Sequence, residues 1–218
     1  MPSKNGLTVE LIDSMGDDLR VANVARVSFN KWKTEMDEKD VRLIDFLARH
    51  EHTSPFRHTA VTIRVTAPIW LARQLGKHQV GMSWNETSRR YVDTDPEFFT
   101  PAEWRKRPDK SIKQGSGAPL AGGALYEVEL LHKVNEQTAR RTYERMLELG
   151  VAPELARGEL PQNMLTSWVW TGSLTSFFHC YRLRAEGTAQ REAQDFAGLL
   201  DDIISPLFPH CWQTLKDN

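Results

Sequence analysis

Residues 60–78 read AVTIRVTAPIWLARQLGKH, a strand pattern that passes directly into a helix pattern. Apolar and polar residues alternate over 60–67, where β-branched side chains are frequent, and this alternation predicts a half-buried strand. Pro68 stands where a helix can begin, because the first helical N–H has no partner within the helix in any case. From 69 to 78 apolar residues recur at three- and four-residue spacings, which predicts a helix immediately after the strand.

The rest of the chain adds strands and helices without a regular strand–helix–strand alternation. Further strands are predicted at 7–12 and 162–171, and helices at 17–29, 37–50, 126–149, 173–184 and 188–204. This order indicates the α+β class, with a mixed or antiparallel sheet flanked by helices. The length of 218 residues predicts a single domain over 1–218.

One segment has a biased composition. Residues 104–124, WRKRPDKSIKQGSGAPLAGGA, begin basic and end rich in Gly, Ala, Ser and Pro. Because they lack apolar periodicity, we predict a surface-loop insertion. Such a loop is either a solvated connection or a lid that contacts an anion, and its composition is compatible with both.

Composition and charge exclude several classes of protein. The chain has 28 basic and 29 acidic side chains, so it lacks the basic excess of a nucleic-acid binder and no nucleic-acid partner is expected. No apolar run approaches the roughly 20 residues of a membrane helix, and the first residues lack the apolar segment of a signal peptide. Cys180 and Cys211 are too few for a disulfide framework, so we expect a cytoplasmic protein without a membrane segment.

The densest polar chemistry lies in residues 73–91, RQLGKHQVGMSWNETSRRY. Gln74, Lys77 and His78 are spaced i, i+3 and i+4, which would place them on one helix face. The arginines and lysine supply donors for phosphate oxygens, and Glu86 supplies an acceptor for a ring N–H or a ribose hydroxyl. These are the parts of a nucleotide site, although a solvated surface loop has a similar composition.

The order of these residues resembles the signature of flavin-dependent thymidylate synthases. That signature is an Arg-His-Arg triplet, a short spacer and then Ser-x-Asn-Glu-x-Ser-x-Arg-Tyr. Its second half is intact here between Ser83 and Tyr91. The triplet is replaced by Lys77-His78-Gln79, and the spacer is one residue longer than usual. Lysine keeps the positive charge without the bidentate geometry of arginine, and glutamine removes a charge.

Three further segments resemble the same family. Residues 52–58, HTSPFRH, match its His-x-Ser/Thr-Pro-Phe-Glu-His run except at Arg57. Residues 171–184, TGSLTSFFHCYRLR, match the segment with the family's activating arginine, although Ser173 and Thr175 replace an Asn and an Arg. Residues 25–28, ARVS, match a segment near the start. The resemblance therefore extends from about residue 25 to about residue 195 and implies the α+β fold of the family.

The resemblance also implies ligands for the matched residues. It assigns dUMP binding to Gln74, Lys77, Glu86, Ser88, Arg89, Arg90, Arg157 and Arg184. It assigns FAD binding to Ser28, Ser54, Lys77, His78, Gln79, Glu86, Ser173, Thr175 and His179.

Arg184 is the predicted catalytic residue. By resemblance it meets the uracil ring of dUMP and stabilises the negative charge that forms when N3 loses its proton. A permanent cation favours such an anion, most strongly where water is excluded. The alternative is a solvated arginine that interacts with a helix dipole. For Arg157 the alternative is a surface ion pair with Glu154, which would stabilise the fold little.

Several other polar or aromatic residues are assigned no catalytic role. Ser88 has no neighbouring base in the sequence that could activate its hydroxyl, so it is expected to bind a ligand. Neither cysteine lies in the Pro-Cys context of the cysteine-dependent thymidylate synthases. The histidines lack zinc-motif spacing, and no metal is expected. Trp168 and Trp170 share one face of the predicted strand 162–171 and are expected to pack in the core.

The function implied by the resemblance is methylation of dUMP to dTMP. Methylenetetrahydrofolate would donate the carbon, and NADPH would supply reducing equivalents through FAD. The family is usually homotetrameric, with active sites at subunit interfaces. Two alternatives stay open: a non-catalytic nucleotide- or RNA-binding module that uses Arg89, Arg90 and Tyr91, and a decayed family member that binds dUMP without turnover.

Overall fold

The computed structural model describes residues 6–109 and 115–218. Four strands form an antiparallel sheet in the order β1-β2-β4-β3. The strands are β1 (Thr8–Met15), β2 (Ala60–Pro68), β3 (Met82–Glu86) and β4 (Leu165–Gly172). The described residues also form eight α-helices, which are α1 (Asp18–Arg26), α2 (Glu38–Arg49), α3 (Ile69–Leu75), α4 (Gly122–Glu148), α5 (Pro153–Ala156), α6 (Leu174–Arg184), α7 (Arg191–Leu207) and α8 (Pro209–Asp217). The predicted α+β class is confirmed.

The strand and helix predicted from residues 60–78 are both present. In β2, Val61, Ile63 and Val65 are buried, and the alternation places their side chains on one face. Helix α3 ends at Leu75, three residues before the predicted end, because Gly76 weakens a helix and the His78 N–H closes a turn on the Leu75 carbonyl at 2.9 Å. The predicted common helix face of Gln74, Lys77 and His78 is therefore wrong.

The sequence patterns did not predict β3 and α8. Strand β3 is short and lies inside the polar run 73–91, where no clear alternation marks it; Trp84 anchors it by edge-to-face contact with Trp170 at 5.3 Å. Helix α8 lacks a local side-chain cap. Its first N–H groups, from His210 and Cys211, donate instead to the buried carboxylate of Asp18 at 2.8 and 2.9 Å. A partner so distant in sequence leaves no local pattern.

The chain divides into two compact units. The first comprises described residues 6–8, Thr66–Gln74 and those between Glu86 and Trp168. Within it α4 packs against α5, and the largest fully buried side chains include Trp168 and Tyr143. The burial of Trp168 confirms its predicted place in the core. Organisation of residues 1–218 as a single domain stays a prediction.

The second unit comprises Val9–Val65, Leu75–Asn85 and Val169–Asn218. Helices α1, α2, α6, α7 and α8 pack against one another within it. Trp170 is fully buried and meets Phe177 edge to face at 5.6 Å, which confirms the predicted core position of this tryptophan.

The predicted insertion 104–124 is described in part, because residues 110–114 lie outside the described residues. On either side of that gap, Arg105 and Pro119 form an antiparallel bridge, and the Leu120 N–H donates to the Trp104 carbonyl at 2.7 Å. Helix α4 begins at Gly122, so the end of the predicted loop is helical. Within the described part of the chain, no helix has both the length and the apolar character needed to cross a membrane.

Candidate functional site

Three of the predicted dUMP-binding residues line one cavity of the first unit. The cavity has a volume of about 310 Å³, and Glu86, Arg89 and Arg157 contribute to its wall. Two guanidinium groups offer donors to phosphate or carbonyl oxygens, and the carboxylate accepts from an N–H or a hydroxyl. Asp95 also lines the cavity, and its carboxylate forms an ion pair with Arg140. This pairing offsets one negative charge. Glu86 and Glu97 remain on the wall beside the two arginines, so the cavity offers both donors and acceptors to a ligand.

Glu86 is the last residue of β3 and is held by a hydroxyl from β4. Thr166 Oγ1 donates to its Oε1 at 2.7 Å, and the Thr166 side chain is buried. The neighbouring Thr87 N–H donates to the Ser167 carbonyl at 2.8 Å, which fixes the end of β3. Sequence reasoning missed Thr166. Its spacing from Trp168 and Trp170 puts it on the same strand face, but a threonine at such a position indicates only that its side chain packs in the core.

Arg89 is fixed by backbone oxygens and an aromatic ring. Its guanidinium donates to the carbonyls of Thr94 and Asp95. The same group lies over the ring of Tyr143 on α4, 5.9 Å from the centroid, within the range of a cation–π contact. Tyr143 is a second residue that sequence reasoning missed, since it occupies a regular buried position of a long helix.

Ser88 and Arg90 interact with each other. The Ser88 Oγ accepts from the Arg90 Nε at 3.2 Å and from the Arg90 backbone N–H at 3.4 Å. The Arg90 guanidinium also lies 5.0 Å from the centroid of the Tyr91 ring. Both bonds come from Arg90, a cation that cannot remove the Ser88 proton, and the binding role of Ser88 stays a prediction.

Arg157 and Gln74 each leave hydrogen-bonding capacity open. The Arg157 side chain is exposed, and its Nε donates to the backbone carbonyl of Glu154 at 3.3 Å. This bond leaves the terminal nitrogens of the guanidinium for a ligand. Gln74, half-buried on α3, has a buried Oε1 that accepts no hydrogen bond from the described residues.

In the second unit, Arg184 and His78 form a pair. Arg184 is the last residue of α6, and its Nε donates to His78 Nε2 at 3.0 Å. Burial, then the charge of Arg184 and then His179, lower the pKa of His78 below its ordinary value. Burial and then Arg182 lower the pKa of His179 as well. Both shifts favour the neutral imidazole.

The start of α6 contains two predicted flavin-binding residues. The Ser173 Oγ caps the helix by accepting from the Ser176 N–H at 3.3 Å. The Ser176 Oγ donates to the Gly81 carbonyl at 3.3 Å. The φ of Gly81 is +69°, and a Cβ at this position would lie 2.5 Å from the Ser176 Oγ. Thr175 Oγ1 is buried and has no hydrogen-bond partner in the described residues. A buried hydroxyl without a partner fits a bound polar group.

The other predicted flavin-binding residues are distributed over several loops. Lys77 and Gln79 follow α3 with exposed side chains. Ser28 and Ser54 are also exposed, Ser28 in the 3-10 turn Val27–Phe29 and Ser54 directly before the turn Pro55–His58. Their ligands stay predictions, as do those of all residues in this site.

Neither cysteine can readily supply a thiolate. Burial raises the pKa of Cys180 to about 12, although the nearby Arg184 opposes the shift. Burial and then the charge of Asp18 raise the pKa of Cys211 further. Both cysteines are free and buried, so a nucleophilic cysteine step has no suitable group here. Among residues 6–109 and 115–218, no three His, Cys, Asp or Glu side chains cluster to hold a metal ion.

A family model and the sequence relatives of this chain agree on one protein family. A family model described as thymidylate synthase complementing protein matches residues 10–210. A flavin-dependent thymidylate synthase from Thermus thermophilus is 39% identical over 210 residues, which cover 96% of this chain and 76% of that protein. The flavin-dependent thymidylate synthase of Thermotoga neapolitana is 38% identical over 210 residues, covering 94% and 88%.

Solved structures with the same fold include a nucleotide methylase. The UMP/dUMP methylase PolB from Streptomyces cacaoi, bound with 5-Br dUMP, matches with a TM-score of 0.87 and 28% identity, covering 98% of this chain and 96% of that one. Its structure bound with 5-Br UMP matches with a TM-score of 0.84 and 28% identity, covering 98% and 95%. With the sequence relatives, these matches confirm the prediction made from the motifs: the chain belongs to the family of flavin-dependent thymidylate synthases.

Proposed function

We propose that the protein methylates dUMP to dTMP, with methylenetetrahydrofolate as the carbon donor and NADPH as the reductant that acts through FAD. The observation that carries the proposal is the cavity on which Glu86, Arg89 and Arg157 converge in a member of this family. Two separate stretches of the chain supply two cations there, beside the carboxylates of Glu86, Asp95 and Glu97. The cations can donate to the phosphate and carbonyl oxygens of a nucleotide, and Glu86 can accept from its N–H or hydroxyl groups.

Each residue of this cavity has a distinct task in binding. Arg89, held by two carbonyls and a ring, is pre-organised to donate to phosphate oxygens without losing much side-chain entropy. The terminal nitrogens of Arg157 donate to a second acceptor of the nucleotide. Glu86, oriented by Thr166, accepts from a ribose hydroxyl or a ring N–H. Ser88, Arg90, Gln74 and Lys77 complete the proposed dUMP contacts.

Arg184 is proposed to make the uracil ring reactive. When N3 loses its proton, negative charge develops on the ring, and a permanent cation in a half-buried position stabilises that charge. The neutral imidazole of His78 beside it does not compete for the anion. Because the cysteine thiols stay protonated, activation by charge replaces activation by a covalent cysteine bond.

The relatives are named flavin-dependent thymidylate synthases, and this name indicates a flavin cofactor. We propose that Ser28, Ser54, Lys77, His78, Gln79, Glu86, Ser173, Thr175 and His179 hold it as FAD. When bound, it supplies the hydride that completes the methyl group. The Thr175 hydroxyl lacks a partner among the described residues and fits such a polar ligand, while Lys77 can offer its ammonium to an anionic oxygen.

A homotetramer is the proposed assembly. On α4, Tyr126, Leu130 and Val134 are spaced i, i+4 and i+8 and are 71%, 51% and 50% exposed. A stripe of this kind on one helix face gains free energy when another chain covers it. The two free buried cysteines agree with the proposed cytoplasmic location, where thiols stay reduced.

UMP is a second candidate substrate. The observation that favours it is the TM-score of 0.87 between this chain and the UMP/dUMP methylase PolB from Streptomyces cacaoi. UMP and dUMP differ in the ribose 2′-hydroxyl, which Glu86 could accept from. The sequence relatives at 38–39% identity are named thymidylate synthases, so dUMP is the preferred substrate of the proposal.

The decisive experiment is anaerobic turnover of the purified protein with FAD, NADPH and methylenetetrahydrofolate. Parallel reactions receive dUMP or UMP, and the nucleotides are separated and identified by mass. We expect dTMP from dUMP, at a kcat/KM at least about 10-fold above that for UMP. Controls without folate should form no methylated nucleotide. Tight dUMP binding without any product would instead indicate a decayed family member.

A further inference from the structure

The pair formed by His78 and Arg184 restricts the protonation of the imidazole. Arg184 remains a cation at any physiological pH, and its Nε–H points its proton at His78 Nε2 over 3.0 Å. Nε2 can accept only through its lone pair, so the ring proton must lie on Nδ1. A protonated His78 would place a second positive charge against the guanidinium and break the bond.

The surroundings of His78 support the neutral form. Arg184 and His179 face it from α6, and Lys77 precedes it in the chain. Burial, Arg184 and His179 act in the same direction on the pKa of His78, since each of them disfavours an imidazolium. The backbone N–H of His78 is bonded to the Leu75 carbonyl at 2.9 Å, which holds the backbone of His78 in a turn.

The hydrogen bond to His78 determines which N–H donors of the Arg184 guanidinium remain available. A guanidinium carries five N–H donors, of which Nε supplies one. With that donor occupied by His78, the edge formed by the two terminal nitrogens stays available. This edge presents two parallel N–H groups, and uracil offers adjacent ring oxygen and nitrogen acceptors once N3 is deprotonated.

We propose that His78 is a positioning residue for Arg184: its neutral imidazole holds Nε so that the two terminal nitrogens of the guanidinium meet the uracil anion. The inference rests on the proposed function and adds to the flavin contact that the resemblance implies for His78. A flavin contact by itself would set the affinity for FAD and would leave Arg184 independent of the imidazole.

A spectroscopic experiment tests the pair without requiring turnover. Imidazole ¹⁵N shifts of the full chain with oxidised FAD report tautomer and titration, and His78 is assigned by the signal lost in His78→Gln. We expect an Nδ1–H tautomer in the wild type and a higher His78 pKa in Arg184→Gln, because a neighbouring cation is removed. An Nε2–H tautomer, or a titration that Arg184→Gln does not change, would overturn the proposal.

A kinetic experiment tests what the pair does. His78→Gln retains a hydrogen-bond acceptor that does not titrate, whereas His78→Leu removes the acceptor at similar size. We expect kcat at saturating FAD to fall about 10- to 100-fold in His78→Leu and to stay within about 5-fold of wild type in His78→Gln at pH 8. Acidification should lower kcat/KM for dUMP in the wild type more than in His78→Gln.

The control is His210→Leu, which removes an exposed imidazole on α8 and should change neither kcat nor the pH profile. Equal losses in His78→Gln and His78→Leu would overturn the proposal, and so would variants that change only the dissociation constant of FAD. Absence of any methylated nucleotide from the wild type would refute the proposed function, and the tautomer measurement would still decide whether His78 holds Arg184.

Discussion

Arg184 combines a permanent charge, a half-buried position and a fixed hydrogen bond at the end of α6. Such a group acts on a developing anion far more effectively than a mobile surface cation, because its orientation is set before the reaction. The solvated helix-end arginine considered from the sequence would have no such bond. The residue is therefore the first target for substitution.

Arg184→Ala should reduce dTMP formation by at least about 100-fold, since one pre-organised charge at the reacting ring is lost. The measurement is single-turnover formation of dTMP, with circular dichroism to verify that the fold is retained. Arg182→Ala is the matched control, because Arg182 is an exposed arginine on the same helix. Turnover close to wild type in Arg184→Ala would contradict the assigned role.

Lys77 stands where the family signature has arginine, and its side chain is exposed. If positive charge is what the position requires, Lys77→Arg should keep kcat/KM for dUMP within about 3-fold of wild type, and Lys77→Met should lower it about 10-fold. Steady-state kinetics at fixed FAD concentration checks both variants. A severe loss in Lys77→Arg would point to a role peculiar to lysine.

Thr166 is the buried hydroxyl that orients Glu86. Thr166→Val keeps the shape and removes the donor, so the carboxylate loses a hydrogen bond worth about 1.5–3 kcal/mol for a charged partner. We expect the Kd for dUMP, measured by calorimetry, to rise about 10-fold. Thr171→Val is the control, because Thr171 also lies on β4 and bonds a hydroxyl, that of Thr62 at 3.0 Å. Equal effects of the two substitutions would show that Glu86 needs no support from Thr166.

At the level of secondary-structure elements, α8 depends on a residue of α1. The Asp18 carboxylate is buried and accepts the first two amide protons that α8 offers, those of His210 and Cys211. Asp18 thereby acts as the N-terminal cap of a helix that is distant from it in the sequence. Its negative charge also interacts favourably with the positive end of the helix dipole.

Asp18→Ala should lower the free energy of unfolding by about 1–3 kcal/mol, because two N–H groups at the start of α8 lose their acceptor. Urea unfolding followed by circular dichroism gives this difference. Asp202→Ala, which removes an exposed carboxylate on α7, should change stability by less than about 0.5 kcal/mol. An unchanged midpoint for Asp18→Ala would mean that water satisfies the start of α8 equally well.

For the whole molecule, the open question is assembly. A homotetramer would have four times the chain mass of 25.0 kDa. Light scattering coupled to size exclusion should give that mass for the wild type and a smaller one for Leu130→Asp, which places a charge in the exposed stripe of α4. Glu144→Gln, on the same helix beyond the stripe, should keep the wild-type mass. A wild-type chain that stays monomeric at every concentration would refute the assembly.

The sequence by itself determined the family, the α+β class and most of the elements. Alternation over 60–67 predicted β2 because burial on one face of a sheet repeats every two residues, and the spacing of Trp168 and Trp170 predicted their burial for the same reason. The order of residues from Ser83 to Tyr91 identified the family, since side-chain types at fixed spacing reflect the ligand they bind. These are all local signals.

Only the tertiary structure decided which distant groups meet. The bond from Thr166 to Glu86, the ring of Tyr143 under Arg89 and the pair of His78 with Arg184 join residues separated by 54 to 106 positions. The cap of α8 by Asp18 is of the same kind. No local periodicity encodes such contacts, because each is selected by packing and hydrogen-bond satisfaction after the elements have formed.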